Sequence, residues 1–269
     1  MDRFRLANRE MWDRLTPIHA ASDFYDMEAF LRGDCTLQTV EVEEVGDVDG
    51  KSLLHLQCHF GQDTLSWARR GANVVGTDFS EPAITLARSL ADELKLDARF
   101  ICCDLYDLPR HLDGEYDIVF TSAGVLCWLP DLTRWAGVIT HFLRPGGIFY
   151  IREFHPMAGV FDDDPPVTEP RIRYPYFPSK EPLAFDDAGS YADPEAPIRA
   201  VSYEWPHSLG EIITTLATAG LRIEYLHEFP FSGYQSHPFL TRGQDGLWRY
   251  EEGQASLPLS FSIRAVKPQ

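Results

Sequence analysis

Between Lys51 and Glu153 the chain alternates short apolar runs with longer amphipathic ones, and this rhythm narrows the possible folds more than any other feature. Ser52–Gln57, Asn73–Asp78, Arg99–Cys103, Tyr116–Thr121 and Ile148–Glu153 read as buried strands. Between them, Gly61–Arg70 reads as a helix closed by Gly71. Ser80 caps a helix running to Leu94, with Glu81 and Pro82 in its first turn. A third helix starts at Asp131 and stops at Arg144-Pro145-Gly146-Gly147, a stop followed by a turn. Strands and helices alternating at these lengths predict right-handed βαβ units, hence a doubly wound α/β sheet covered on both faces.

After His155 the texture changes. Ten of the 19 prolines fall between Pro156 and Pro206, mixed with Tyr174, Tyr176, Phe177, Phe185, Tyr191, Tyr203 and Trp205. Proline at this density ends helices and central strands, so residues 156–207 are expected to form an insertion with short edge strands, packed by its aromatics. Ser208-Leu209-Gly210-Glu211 then opens a helix to Ala219, and Leu221–Phe229 and Leu259–Val266 alternate like strands near a sheet edge. The expectation is a mostly parallel seven-stranded sheet with an antiparallel C-terminal strand. Residues 46–155 and 208–269 would form the ligand-binding core. Residues 1–45 would form an N-terminal helical lid, and the insertion after strand five would cover the substrate site.

Composition restricts the partners. The formal charge is −17 and the pI about 4.8, so the surface repels phosphate backbones and anionic headgroups. Neither nucleic acid nor a membrane is expected as a partner. No apolar run reaches the ~18 residues of a membrane span, and Met1-Asp2-Arg3-Phe4-Arg5 lacks the apolar core of a secretion signal. Five scattered cysteines suggest reduced thiols in a cytoplasmic protein, expected as a monomer or homodimer.

In such sheets ligands bind at the carboxyl ends of the strands, where strand order reverses. The first strand leaves through Gln57-Cys58-His59-Phe60-Gly61, which retains one glycine at the turn into the helix. The dinucleotide fingerprint G-x-G-x-x-G is absent, which weakens a nicotinamide reading. Asp78 ends the second strand, where a carboxylate accepts from both hydroxyls of a ribose. Together, loop and carboxylate point to an adenosine ligand.

From Leu53 to Glu153 the chain resembles the class I S-adenosylmethionine-dependent methyltransferases. Leu53–Gly61 stands where that family has its glycine-rich motif, and Val74–Asp78 with Phe79 and Ser80 resembles its second. Arg99–Asp104, Tyr116–Ser122 and Leu143–Gly147 follow in register, and Ser208–Glu228 resembles the late helix and strand of the small-molecule branch. The resemblance implies that S-adenosylmethionine is the cofactor and S-adenosylhomocysteine the product. It assigns Asp78 to the ribose and Phe79 to one face of the adenine. Asp104 and the Leu105 N–H would meet the adenine edge, while Gln57, Cys58, His59, Phe60, Gly61 and Ser122 would border the methionine moiety. The motif departs from the family's form: an acid is common where His55 stands, and glycines where Gln57 and His59 stand. Methyl transfer to a small-molecule O, N or C nucleophile is the implied reaction; the alternative is a catalytically silent binder of the same cofactor.

A base is needed only for a protonated nucleophile. Glu153, His155 and His207 are the candidates, His155 first because it follows the fifth strand directly, so His155→Ala should cut turnover. Trp12, Tyr25, Phe30 and Trp128 are expected to line the substrate pocket and to favour a partly apolar or ring-containing acceptor. No metal is expected: His55, Cys58 and His59 cross from a strand end into a turn, and Asp162-Asp163-Asp164 reads as a solvated acidic run. Trp67 and Trp135 read as core, and no G-x-S-x-G elbow is present.

Overall fold

The computed structural model describes residues 1–251, 253 and 256–269. Three helices lead the chain: α1 (Arg3–Ala21), α2 (Met27–Arg32) and α3 (Thr39–Val45). They are followed by β1 (Ser52–Leu56), α4 (Gln62–Arg69), β2 (Asn73–Asp78), α5 (Glu81–Leu94), β3 (Ala98–Cys102), β4 (Tyr116–Thr121), α6 (Leu132–Phe142) and β5 (Leu143–Phe154). The later elements are β6 (Leu183–Ala188), β7 (Arg199–Glu204), α7 (Leu209–Thr218), β8 (Arg222–Phe229), the short β9 (Thr241–Arg242) and β10 (Trp248–Arg249), and β11 (Ser260–Val266). Among the described residues no helix is long and apolar enough to cross a membrane.

Seven strands form one sheet in the order β3-β2-β1-β4-β5-β11-β8. Neighbours are parallel from β3 to β5, and β11 runs antiparallel between β5 and β8. Order reverses between β1 and β4, so their C-terminal ends open the crevice in which such sheets bind ligands. Local chemistry sets the helix starts: the side chains of Ser80, Asp131 and Ser208 accept from Ala83, Arg134 and Glu211 N–H. One sheet face packs on α6 and α7 through Trp135, Phe142, Ile212 and Leu216. The other packs on α4 and α5 through Trp67, Leu65, Ile84 and Ala87. Trp67 and Trp135 are fully buried core residues.

Two details differ from the expectation. The segment Arg144–Gly147 does not separate helix from strand: β5 begins at Leu143, opposite Tyr116, and a register shift absorbs the Pro-Gly-Gly stretch before Ile118 pairs with Ile148. Gly146 N–H bonds to Lys267 O (2.8 Å), so the end of the chain holds that stretch against the sheet. The insertion contributes no edge strand to the main sheet; β6 and β7 form a separate two-stranded hairpin.

That hairpin and α1 are docked on each other. Asn8, 1% exposed, donates to Tyr203 O (2.7 Å) and accepts from Tyr203 N–H (2.8 Å), so its amide pairs with the backbone of β7. On its other side α1 meets the start of α5, where Thr16 Oγ1 lies 3.5 Å from Ser80 Oγ. These contacts lay α1 across the strand ends.

Candidate active site

The loop after β1 is tightly wound. Gln57 (φ 57°), His59 (φ 51°) and Gly61 (φ 82°) all take left-handed conformations. At Gly61 a Cβ would stand 2.8 Å from the Phe100 ring, so only glycine fits there. Asp78 organises this loop: its carboxylate accepts from His59 N–H (2.9 Å) and Ser80 N–H (3.0 Å). Burial, against those bonds and helped by the charge of Asp13, pushes its carboxyl up to about 6.

Asp104, at the end of β3, accepts from Tyr106 N–H (2.9 Å) and from the Arg5 guanidinium (2.7 Å), which lies over the Tyr106 ring. Phe79 is half-buried beside Asp78, whereas Leu105 is a core side chain. Cys58 and Phe60 are also core, packed on α5, so these three can meet a ligand only through their backbone. Ser122 is held by His55, whose ring nitrogens lie 3.1 Å from Ser122 Oγ and 2.8 Å from Thr64 Oγ1. Burial pulls His55 down to about 3, so it is neutral.

The donor and acceptor inventory tests what such a site can hold. Gln57 spends its amide N–H on Val125 O (3.1 Å), which leaves its Oε1 buried with no partner among the described residues. Asp13 Oδ1, on α1, is also buried and unpartnered. It borders a groove of about 540 Å³ between α1 and the start of α5. Two buried acceptors, Asp13 Oδ1 and Gln57 Oε1, thus lack donors, while the Asp78 and Asp104 carboxylates already hold theirs. A ligand rich in donors, with a diol, an amino group and an ammonium, suits such a set; a pyrophosphate would meet carboxylates instead. Adenosylmethionine fits.

The three base candidates are engaged elsewhere. Glu153, 4% exposed, accepts from Gly124 (2.5 Å), Val125 (2.8 Å), Leu126 (3.1 Å) and Phe154 (2.6 Å) N–H. Burial raises its carboxyl, but four backbone donors occupy its oxygens, and it serves as the anchor of the loop after β4. His155 accepts from Met157 N–H at Nδ1 (3.0 Å) and presents Nε2 to Glu228 at 2.8 Å. Its Nδ1 is thus occupied by a backbone N–H, and its remaining ring nitrogen lies beside the Glu228 carboxylate. His207 lies with Nε2 2.7 Å from Leu129 O and Nδ1 3.1 Å from Glu211, joining α7 to the loop before α6.

The covering residues divide. Trp12, Tyr25 and Trp128 belong to one aromatic cluster: Trp12 meets Trp128 and His59 edge-on at 5.5 and 5.3 Å, and Tyr25 meets His59 at 5.6 Å. Phe30 does not join them. It is 1% exposed in the core beneath α4 and α5, under the Arg69 guanidinium, because the short α2 buries its apolar side there.

Five further side chains, His19, Phe24, Ser190, Tyr191 and Tyr234, complete the cluster. His19 stacks on Tyr25, and Tyr191 contacts the His19, Phe24 and Tyr234 rings. The Tyr25 and Tyr191 hydroxyls are in direct contact, and Ser190 bonds to His19 (2.7 Å). A signal for His19 was present: Trp12, Thr16 and His19 share one helical face by spacing. Tyr191 belongs to the insertion's aromatic series, and nothing local marks Ser190 or Tyr234. Among the described residues, the group placed to hold a metal ion is Asp162, Asp163 and Asp164, and Asp162 is already paired with Arg171 and Arg173.

Residues 54–151 match a family model described as a methyltransferase domain. The chain is 34% identical over 108 residues to the demethylmenaquinone methyltransferase of Thermus thermophilus, covering 39% of this chain and 48% of that one. It is 28% identical over 135 residues to the ubiquinone biosynthesis O-methyltransferase of Aeromonas salmonicida, covering 49% and 56%. The chain therefore spans about half the length of these curated relatives. Among solved structures, an S-adenosylmethionine-dependent methyltransferase of Mesorhizobium loti superposes with a TM-score of 0.57 at 19% identity, over 88% of this chain and 99% of the other. A glycopeptide N-methyltransferase complexed with S-adenosylmethionine gives 0.57 at 14%, over 87% and 95%. At these identities the structural likeness establishes the fold.

Proposed function

We propose that residues 54–151, which match a methyltransferase domain, depend on S-adenosylmethionine, and that the protein transfers a methyl group from that cofactor to a small-molecule acceptor. The observation that carries this reading is the Asp78 carboxylate at the end of β2, held by the His59 and Ser80 N–H groups, with the unpartnered acceptors Asp13 Oδ1 and Gln57 Oε1 as further support. In this reading Asp78 accepts from the ribose hydroxyls and Phe79 covers the adenine. Asp104 and Leu105 N–H meet the adenine edge, while the Gln57–Gly61 loop and Ser122 border the methionine end. The bound cofactor would supply a methyl group already activated on a sulfonium, with a neutral leaving group. What remains for the chain is to align the nucleophile and exclude water, which can contribute on the order of 7–11 kcal/mol.

Residues 1–45 and 156–207 are the proposed cover of the acceptor site, and the aromatic cluster suits a ring-containing acceptor. The quinone-pathway names of the relatives point the same way. Five free thiols and the −17 charge support a cytoplasmic monomer or homodimer acting on a small solute.

A silent binder of the cofactor is the second reading, because Arg5 already occupies Asp104 and the His59 side chain fills a position usually left bare. Calorimetry on the full chain with S-adenosylmethionine and S-adenosylhomocysteine tests both readings. Absence of heat for either ligand removes the proposal. Binding with no methylated product by mass spectrometry, over a broad metabolite set, leaves only the silent binder.

A further inference from the structure

The clearest unassigned chemistry is a line of hydrogen bonds leading out of the cofactor loop. His59 Nε2 lies 3.1 Å from His19 Nδ1, and His19 Nε2 lies 2.7 Å from Ser190 Oγ. Three distant segments supply it: the β1 loop, α1 and the turn of the β6–β7 hairpin. His59 joins two surroundings, because its backbone N–H holds Asp78 while its ring meets Trp12, His19, Tyr25 and Phe60. No group among the described residues hydrogen-bonds its Nδ1.

Resting on the methyltransferase reading, we propose that the acceptor is an aromatic hydroxyl. His59 takes its proton as the methyl group arrives, and His19 and Ser190 position His59 and carry the charge outward. The O–H bond breaks toward a His59 ring nitrogen, a new O–CH3 bond forms, and the S–CH3 pair returns to sulfur. The products are an aryl methyl ether, the neutral thioether and one proton, which passes through His19 to Ser190 and solvent. The aromatic walls favour a planar ring, and the neighbours allow the base to be neutral. The titratable groups facing His59 are His19 and Tyr25 from the N-terminal segment, with Tyr191 from the hairpin behind them and Asp78, bonded to its backbone, below. Burial holds both imidazoles below the ordinary range, His19 down to about 4.

The test uses the full chain, S-adenosylmethionine, and two probes of graded acidity at mildly alkaline pH: catechol, which stays mostly protonated there, and 4-nitrophenol, which is mostly ionised. First, calorimetry establishes that the cofactor binds; no binding sinks the methyltransferase reading itself. With binding intact, the wild type should methylate both probes. His59→Gln should lower kcat on catechol by about a hundredfold, the lower part of the range for general-base loss, with KM nearly unchanged and a much smaller loss on 4-nitrophenol. His19→Gln should lower it about tenfold and shift the pH profile of kcat upward. It also provides the test if His59→Gln fails to fold. Equal losses on the two probes would make the pair a structural plug and overturn the proposal. So would methylation of amines by a cofactor-bound wild type that leaves both phenols untouched.

Discussion

The strand-end loops and the layer that covers them meet at His59, yet they are held by opposite means. The loops after β1, β2 and β4 are fixed by carboxylate–amide bonds among the strand ends themselves: Asp78 to Ser80 N–H two residues on and to His59 N–H 19 residues back, and Glu153 to three consecutive N–H groups of one loop. The covering layer is fixed by contacts between residues 195 and 171 positions apart, Asn8 with Tyr203 and His19 with Ser190. The first kind preorganises a ligand site whether or not the cover is in place. The second depends on a few contacts between distant segments, and its ion pair from Arg5 to Asp104 falls on a carboxylate proposed for the ligand.

The largest effect that would separate the two regions is structural. Glu153→Ala should strand three or four buried amides and destabilise the fold by about 4 kcal/mol in urea unfolding, at the order of 1–3 kcal/mol for each unsatisfied group. A loss below 1 kcal/mol would mean that the loop after β4 does not depend on this anchor.

Asp78→Asn comes next. Losing the charge-assisted acceptor should weaken S-adenosylmethionine about a hundredfold by calorimetry, while the aromatic cover, read by tryptophan fluorescence, stays unchanged. Asp78 also predicts a pH effect. Its folded carboxyl stands at about 6, above its unfolded value, so the stability it contributes is present in acid and is lost as pH rises through 6. Donor hydroxyls need the ionised form. Cofactor affinity should therefore fall about tenfold from pH 7.5 to pH 5, and Asp78→Asn should flatten that slope. His55 titrates in the opposite sense. Lowered to about 3 and 1% exposed, it stabilises fully above its unfolded value near 6.5, and loses roughly 2 kcal/mol by pH 5.

The smallest effect falls on His155. Because Met157 N–H occupies its Nδ1 and its Nε2 lies beside the Glu228 carboxylate, His155→Ala should leave turnover per folded molecule within about twofold, against the hundredfold range of general-base loss. A collapse in kcat at unchanged stability would restore it as the base.

The sheet was legible because each strand and cap writes its own local pattern: Ser80-Glu81-Pro82 starts α5 wherever it occurs, and the apolar runs place Asp78 and Asp104 at strand ends. The role of the base candidates is less legible, because position at a strand end does not say which bonds a side chain makes. Glu153 sits where a catalytic acid could, but its oxygens are filled by a loop 27–29 residues earlier. Phe30 looked like a pocket residue because a short helix does not reveal which side faces the core. The cover was the least legible part, since pairings such as Asn8–Tyr203 join residues 195 positions apart and leave no periodic trace.

Two non-glycine residues, Gln57 and His59, sit in left-handed backbone that disfavours any side chain, by about 1–2 kcal/mol apiece. A change to glycine at either codon would relax the turn and delete the side chain in the same event. Robustness to heat and the chemistry of the loop are therefore opposed at those two codons, and random drift toward an easier fold would silence the loop before it harmed the sheet.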